Sequence, residues 1–232
     1  MAMAFDRIVI AVPELAAAVE QYQLLFATSP CVGESARGQS IARWGLANTV
    51  IEMVQCAAVK PHVQGIVMQS PDAGALEQPV FNAMGLDIHI CGGHSTADFR
   101  RLHADAQYPE LLVDHVVLRT SDAEGCIKLF GDQLGIRLAL DKSVPEWGGR
   151  MLFFRAGKLT LEVIESDRGQ PDSNFFWGLA YQCKSLATVV DSLVARGVAV
   201  SSIRDGRKPG TLVATLKSHS LEIPTLLIQP AA

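Results

Sequence analysis

The stretch "LLVDHVVLRTSDAEG", residues 111–125, predicts a strand that passes directly into a helix. Residues 112–119 are mostly β-branched or apolar, as expected of a largely buried strand. Ser121 and Glu124 have the spacing of a capping box, in which the two side chains bond early amides of a helix. His115 interrupts the apolar strand, and taken alone it is either a hydrogen-bonded core or surface residue or a ligand.

The same pattern occurs more than once along the chain. Three pairs of segments correspond: 5–26 with 113–134 at an offset of 108 residues, 48–55 with 158–165 at an offset of 110, and 85–90 with 178–183. Self-similarity of this kind indicates a repeated architecture. The chain therefore divides into two related halves, 1–110 and 111–232.

Each half contains units with the order βαβββ. In the best copy, the strand and helix of 111–134 are followed by three short apolar runs, which end with "KLTLEVIE" (158–165). The final unit repeats this order, with a helix at 185–196 and strands near 198–204, 211–217 and 220–228. The second unit is shortened to a strand at 85–90 and a helix near 95–106, and residues 57–84 form a long connection that the pattern leaves unassigned. The predicted class is α+β.

Composition excludes several classes of protein. Hydrophobic residues make up 49% of the chain, and its net charge is −4, so no basic face is available for nucleic acid. The sequence contains neither an apolar run of membrane-spanning length nor a signal-peptide pattern. Its five scattered cysteines are typical of a reduced, cytoplasmic protein without a disulfide framework.

These units resemble the vicinal oxygen chelate superfamily, which includes glyoxalases, bleomycin-resistance proteins and extradiol dioxygenases. The resemblance rests on the strand "DHVV" (114–117), the capped helix after it, and the later strand "TLEV" (160–163). It implies paired βαβββ modules that form curled mixed sheets around a cleft. In that superfamily, metal ligands lie on the first and last strands of each unit.

Transferred to this chain, the resemblance implies a metal site made by His115, Glu162 and Glu222. Gly178 takes the fourth position, where a histidine usually stands. One imidazole and two carboxylates suit a divalent ion such as Zn, Mn, Fe or Ni. Glu162 or Glu222 would serve as the catalytic base. By strand alternation, the neighbouring Asp114 should face away from His115.

The first half departs from this pattern. Arg7 replaces the histidine, and a guanidinium cannot be a metal ligand because it has no lone pair to give. Glu52 therefore lacks its partner, and the two side chains could form an ion pair instead. This half is predicted to carry a degenerate, structural site.

Other polar and aromatic residues allow two interpretations each. His89 and His94 flank "CGG" and are most simply turn residues, although they could bind a metal. The hairpin tip "RDGRKPG" (204–210) is either a solvated turn or a site for an anionic substrate tail. The three tryptophans (Trp44, Trp147 and Trp177) could belong to the core or line an apolar cleft.

Three functions follow from the resemblance. The first is a divalent-metal-dependent lyase or isomerase that acts on a small substrate with adjacent oxygens. The second is an extradiol-type dioxygenase. The third is a non-catalytic protein that binds or sequesters a small molecule in the cleft. In each case the partner is a small molecule, a homodimer is compatible with the family, and neither nucleic acid nor membrane is expected.

Overall fold

The computed structural model describes residues 3–57, 59–74, 76–92, 111–144, 149–167 and 169–231. The predicted helix near 95–106 and the side chains of His94 and Trp147 lie outside these residues. Below, the first half means residues 3–92 and the second half residues 111–231, each with the gaps just given.

The first half contains one described helix and seven strands. They are β1 (Ala4–Val12), α1 (Leu15–Phe26), β2 (Cys31–Glu34), β3 (Ser40–Gly45), β4 (Val50–Gln55), β5 (His62–Gln69), β6 (Gln78–Pro79) and β7 (Asp87–Cys91).

The second half contains eight described strands and two helices. They are β8 (Leu112–Thr120), α2 (Ala123–Cys126, continuing with π-helical geometry through Ile127–Gln133), β9 (Arg137–Val144), β10 (Gly149–Ala156), β11 (Leu159–Ser166), β12 (Phe175–Gln182), α3 (Leu186–Ala195), β13 (Arg204–Asp205), β14 (Leu212–Thr215) and β15 (Thr225–Gln229).

Each module places its first strand beside and parallel to its last strand. The first module has the order β2-β3-β4-β1, and the third has the order β9-β10-β11-β8. Within each half, the first strands of the two modules pair antiparallel, β1 with β5 and β8 with β12. One backbone pair, between Val63 and Phe176, joins the halves into a continuous mixed sheet. The predicted α+β fold of paired βαβββ modules is confirmed.

The second module begins earlier than predicted. Its first strand is β5, which pairs antiparallel with β1 inside the segment 57–84 that the sequence pattern leaves unassigned. The strand predicted at 85–90 is β7, which runs parallel to β5 and is therefore the last strand of the module. The prediction that a module opens at residue 85 is wrong, because the echo between 85–90 and 178–183 matches a last strand to a first strand.

The helix start in the third module also differs from the prediction. Asp122, and not Ser121, caps α2 by accepting a hydrogen bond from the Gly125 amide at 2.8 Å. Glu124 bonds Arg150 at 2.7 Å and takes no part in a capping box. In the fourth module, the helix predicted at 185–196 is α3, and Ser185 caps it by accepting a hydrogen bond from the Thr188 amide.

One hydrophobic cluster runs through both halves. Trp44 is buried in it and packs against Tyr22 and Phe26 of α1, so it is a core residue. Phe26 also meets Tyr181 of β12 edge to face, with ring centroids 5.6 Å apart. Close behind them, the Arg196 Nε donates to the Leu24 carbonyl oxygen at 2.7 Å. The halves are therefore joined by side-chain packing as well as by the sheet.

The parallel strands β5 and β7 approach so closely that Gly65 has no room for a side chain. An added Cβ would lie 2.2 Å from the carbonyl oxygen of Asp87. We expect Gly65→Ala to lower the free energy of unfolding by about 1–3 kcal/mol, because the backbone must shift to relieve the overlap. Urea denaturation measures this change.

The matched control is Gly33→Ala, since a Cβ at Gly33 would meet nothing within 4 Å. A Gly65→Ala protein as stable as the Gly33→Ala protein would contradict the close approach.

Candidate functional site

All four first strands carry a β-bulge at the same place. On each first strand, one residue lacks a partner in the register and lies just before a family ligand position. The four extra residues are Asp6, Gln64, Asp114 and Trp177, which precede Arg7, Gly65, His115 and Gly178. A bulge breaks the alternation of side chains and commonly re-aims a side chain beside a site.

The bulge explains why Asp114 does not face away from His115, as simple alternation predicted. The His115 Nδ1 lies 2.8 Å from the Asp114 Oδ2. The first half repeats this contact, because the Arg7 Nη1 donates to the Asp6 Oδ2 at 2.8 Å. On a regular strand, adjacent side chains point to opposite faces and such contacts would not form.

The register of the parallel strands identifies the equivalent positions on the last strands. Glu52 pairs with Val9 and Glu162 with Val117, each two residues beyond the ligand position on the first strand. In the second module, the residue two positions beyond Gly65 is Val67, and it pairs with His89. In the fourth module, the residue two positions beyond Gly178 is Ala180, and it pairs with Leu226. The first half therefore carries Arg7, Glu52, Gly65 and His89 at these positions, and the second half carries His115, Glu162, Gly178 and Leu226.

The predicted position of Glu222 on the last strand is wrong. Strand β15 begins only at Thr225, and Glu222 is an exposed turn residue. Leu221 and Glu222 have φ values of 56° and 61°, which a strand does not accommodate. The family position is occupied by Leu226, whose side chain cannot bind a metal.

In the second half, the structure brings His115 and Glu162 together. The His115 Nε2 lies 3.3 Å from the Glu162 Oε2, and both side chains are mostly buried. Since Asp114 takes the other ring nitrogen, the imidazole is held between two carboxylates. Asp114 therefore orients the ring so that Nε2 faces Glu162.

Gly178 is fixed by packing. A Cβ there would lie 2.5 Å from the carbonyl oxygen of Pro224, just as a Cβ at Gly65 would meet the backbone of β7. The absent histidine therefore follows from the close approach of the fourth module's first strand to the segment before β15.

The donor set does not fit a divalent ion. Catalytic zinc sites use three protein ligands, and His115 and Glu162 supply two. Among the described residues, no three histidine, cysteine, aspartate or glutamate side chains are grouped so that they could hold a metal ion.

The first half encloses a cleft of about 690 Å³, lined by strands β1 to β5, by β7, and by the segments around Arg37 and Glu77. We call it the first cleft. Its floor carries the ion pair between Arg7 and Glu52, whose Nε and Oε1 atoms are 3.4 Å apart. Arg43 binds the other oxygen of Glu52 at 2.6 Å through its Nε. The predicted ion pair is thus present, but it lines a large cleft.

Charges in the first cleft shift the pKa values of its buried groups. Burial lowers the pKa of Arg7, but Glu52, Glu77 and Asp6 outweigh this effect and raise it overall. For Asp6, burial raises the pKa by more than the neighbouring Arg7 lowers it. Asp6 is only 5% exposed, and its Oδ1 has no hydrogen-bond partner among the described residues.

His89 is a strand residue of the first cleft, and its prediction as a turn residue is wrong. Its Nδ1 lies 2.9 Å from the Glu77 Oε1, and its Nε2 lies 2.8 Å from the Asp87 Oδ1. Glu77 also binds Arg7, so the segment around Glu77 is tied to the floor of the cleft. The spacing of His89 from β5 would have placed it on the last strand of the second module, but the sequence pattern did not identify β5 as a strand.

The remaining candidates contribute less. The five cysteines are free thiols, and burial raises the pKa of Cys126 and Cys183 to about 11, which does not suit a nucleophile. Residues 204–210 form an exposed tip that does not line the first cleft. No helix in the part of the chain that the structure describes is long and apolar enough to cross a membrane.

Comparison with known proteins agrees with this architecture. Residues 114–215 match a family model described as "Glyoxalase/Bleomycin resistance protein/Dioxygenase superfamily". A triple mutant of 4-hydroxymandelate synthase from Streptomyces coelicolor superposes with a TM-score of 0.70 at 14% identity, over 99% of this chain and 93% of that one. No curated protein matched the sequence.

Two further solved structures superpose on this chain to different extents. A xylose isomerase-like TIM barrel/4-hydroxyphenylpyruvate dioxygenase fusion protein superposes with a TM-score of 0.66 at 11% identity, over 99% of this chain and 49% of that one. Methylmalonyl-CoA epimerase from Mycobacterium tuberculosis covers 52% of this chain and 88% of its own, with a TM-score of 0.43 at 17% identity.

The sequence match of residues 114–215 and the likeness of the whole fold support the vicinal oxygen chelate superfamily. Within that superfamily, the sequence match of the second half is to a glyoxalase-type model.

The raised pKa of Asp6 predicts a pH-dependent stability. A raised pKa in the folded state stabilises the fold fully below the unfolded value, here 3.8, and this contribution is lost as the pH rises through the folded value. We expect the free energy of unfolding of the wild type, relative to Asp6→Asn, to fall as the pH rises above that value.

Urea denaturation at a series of pH values from about 4 to 8 measures this difference. Asp6→Asn also weakens the contact with Arg7, which changes the difference in unfolding free energy by a constant amount at every pH. The test is therefore how this difference changes with pH. The exposed Asp191→Asn variant on α3 controls for removing a carboxylate. A flat difference between wild type and Asp6→Asn would contradict the prediction.

Proposed function

We propose that this protein binds a small organic molecule on the concave face of its second half, through His115 and Glu162. The observation that carries the proposal is the approach of these two side chains at the family positions, 3.3 Å apart and oriented by Asp114. A small number of convergent polar groups on an otherwise apolar surface is typical of small-molecule sites.

Apolar residues surround the pair. The register places Phe153 opposite Glu162, and Leu140 opposite Phe153, so the three side chains share one face of the sheet. Leu140 is 48% exposed, and the bulged Trp177 is 42% exposed beside Gly178. An aromatic or aliphatic part of a ligand could pack here while its polar end meets His115 and Glu162.

The metal-dependent functions need a further donor. The lyase or isomerase that acts on adjacent oxygens and the extradiol dioxygenase both use a divalent ion, whereas Gly178 and Leu226 supply no ligand to one. Zn, Mn, Fe or Ni would therefore need Glu222, delivered from its turn, or another group. The third function, binding of a small molecule without catalysis, requires only the pair His115 and Glu162 and the apolar residues around it.

A second candidate function is proton transfer, and the contact with Asp114 favours it. The Asp114 carboxylate lies at Nδ1 of the ring, which leaves Nε2 directed at Glu162. With a proton on Nε2, Glu162 could accept a proton from carbon next to a substrate carbonyl, while His115 could donate to the carbonyl oxygen.

Two features of the protein stay predictions. The homodimer and the cytoplasmic location are compatible with the family and the composition, and size-exclusion chromatography and cell fractionation measure them.

The binding proposal predicts selective loss of affinity. In ligand-observed NMR with a panel of pyruvate, phenylglyoxylate, lactate and catechol, we expect at least one compound to bind the wild type. His115→Ala and Glu162→Gln should weaken that binding at least tenfold, because each removes a polar partner. Glu222→Gln, in the exposed turn, is the matched control and should bind as the wild type does. Equal binding to all four proteins would rule the site out.

The same panel separates catalysis from binding. If the pair transfers protons, the protein should catalyse exchange of the methyl protons of pyruvate with D₂O, and Glu162→Gln should abolish that exchange. Binding without exchange would support a non-catalytic protein.

Metal analysis by mass spectrometry tests the donor argument. We expect purified wild type, after dialysis against Zn or Mn and then buffer, to retain less than one equivalent of metal per chain, because two donors give weak binding. Stoichiometric metal that is lost in His115→Ala and in Glu222→Gln would restore the three-residue metal site.

A further inference from the structure

A row of four residues crosses the concave face of the second half at the level of His115. Thr160 of β11 is the register partner of His115, and Arg155 of β10 is the partner of Thr160. Arg137 of β9 is in turn the partner of Arg155. Residues directly opposite each other on neighbouring strands lie on one face of a sheet, so these side chains share the face that carries His115.

The burial of neighbouring residues agrees with this orientation of the two arginines. Phe154 belongs to the hydrophobic core, and Leu138 packs against that core. Because side chains alternate along a strand, Arg155 and Arg137 point away from the core. Both arginines are exposed, so a ligand on the concave face can reach them.

The guanidinium of Arg155 is directed along the row toward His115. Its Nη1 donates to the Thr160 Oγ1 at 2.8 Å. Among the described residues, its other N–H groups have no hydrogen-bond partner. Neighbouring strands lie about 4.8 Å apart, which separates the Cα atoms of Arg155 and His115 by about 10 Å. One small ligand can therefore contact both side chains.

The two arginines of the row carry like charges at directly opposed positions, which destabilises a sheet. Within the part of the chain that the structure describes, neither guanidinium forms an ion pair that would offset this repulsion. By contrast, Arg150 on the same strand as Arg155 binds the carboxylates of Asp141 and Glu124. An oxyanion between the two guanidinium groups would relieve the repulsion, because the planar fork of arginine matches carboxylate and phosphate oxygens.

We infer that Arg155 and Arg137 form a subsite for an oxyanion, either a carboxylate or a phosphate. The inference rests on the proposed function, because this oxyanion is the tail of the ligand whose other end meets His115 and Glu162. Phe153 lies two residues before Arg155 on the same face and contacts the body of the ligand. The ligand class is therefore a small molecule with a polar head, a short apolar body and an anionic tail.

Keto acids that differ only in their tails test this inference by ligand-observed NMR. The probes are α-ketoglutarate, its analogue with a phosphonate in place of the distal carboxylate, and α-ketovalerate, which has a methyl group there. We expect the wild type to bind at least one of the two anionic-tail probes about tenfold more tightly than α-ketovalerate. This preference should fall as KCl rises. The tighter of the two identifies the tail as carboxylate or phosphate.

Variants locate the tail. Arg155→Gln and Arg137→Gln should each remove most of the preference for an anionic tail. Arg37→Gln removes an exposed guanidinium from the first half, and as the matched control it should keep the preference. Circular dichroism checks that each variant is folded.

Inorganic phosphate separates this inference from the proposed function, because it can occupy the tail subsite alone. Phosphorus NMR line broadening should show that the wild type and His115→Ala both bind phosphate. Arg155→Gln should bind it about tenfold more weakly. If phosphate binding depends on Arg155 but no keto acid binds, the proposed function fails and the oxyanion subsite stands.

Four results would overturn the inference. They are equal affinity of the wild type for all three keto acids, a preference that survives Arg155→Gln, a preference that is lost equally in Arg37→Gln, and phosphate binding that is absent or insensitive to Arg155→Gln.

Discussion

The antiparallel pairing of two bulged first strands is the constraint on which the concave faces of both halves depend. In each half, the pairing sets the two modules side by side, and the bulges determine which side chains reach the concave face. The bulge that places Asp114 against His115 also places Asp6 against Arg7. One backbone device thus serves two different chemistries, a carboxylate beside an imidazole in one half and beside a guanidinium in the other.

Much of the fold could be predicted from the sequence, since the repeat between 5–26 and 113–134 and the helical and strand periods are local signals. The first strand of the second module could not, because β5 is recognised by its pairing with β1 and its module lacks a described helix after it. That omission hid His89, whose role follows only from the register of β7 against β5.

The candidate site was predictable where sequence spacing and strand register agree. Glu162 matches Glu52 in the sequence repeat, at an offset of 110 residues, and both lie on the last strand of their module, beside its first strand. The prediction that Glu222 lies on the last strand was wrong. A sequence pattern cannot show that Leu221 and Glu222 adopt positive φ values, and the strand begins only at Thr225. The prediction that Asp114 faces away from His115 was wrong, because the alternation of side chains along a regular strand gives no sign of a bulge.

The edge-to-face contact between Phe26 and Tyr181 lies inside a core that both halves share. If this shared core makes the two halves unfold together, the chain behaves as one cooperative unit. Any molecule held by the native state of either half then stabilises the whole chain, by an amount set by its concentration relative to its dissociation constant. The two concave faces are thereby linked through the folding equilibrium, even if no side chain moves when one of them is occupied.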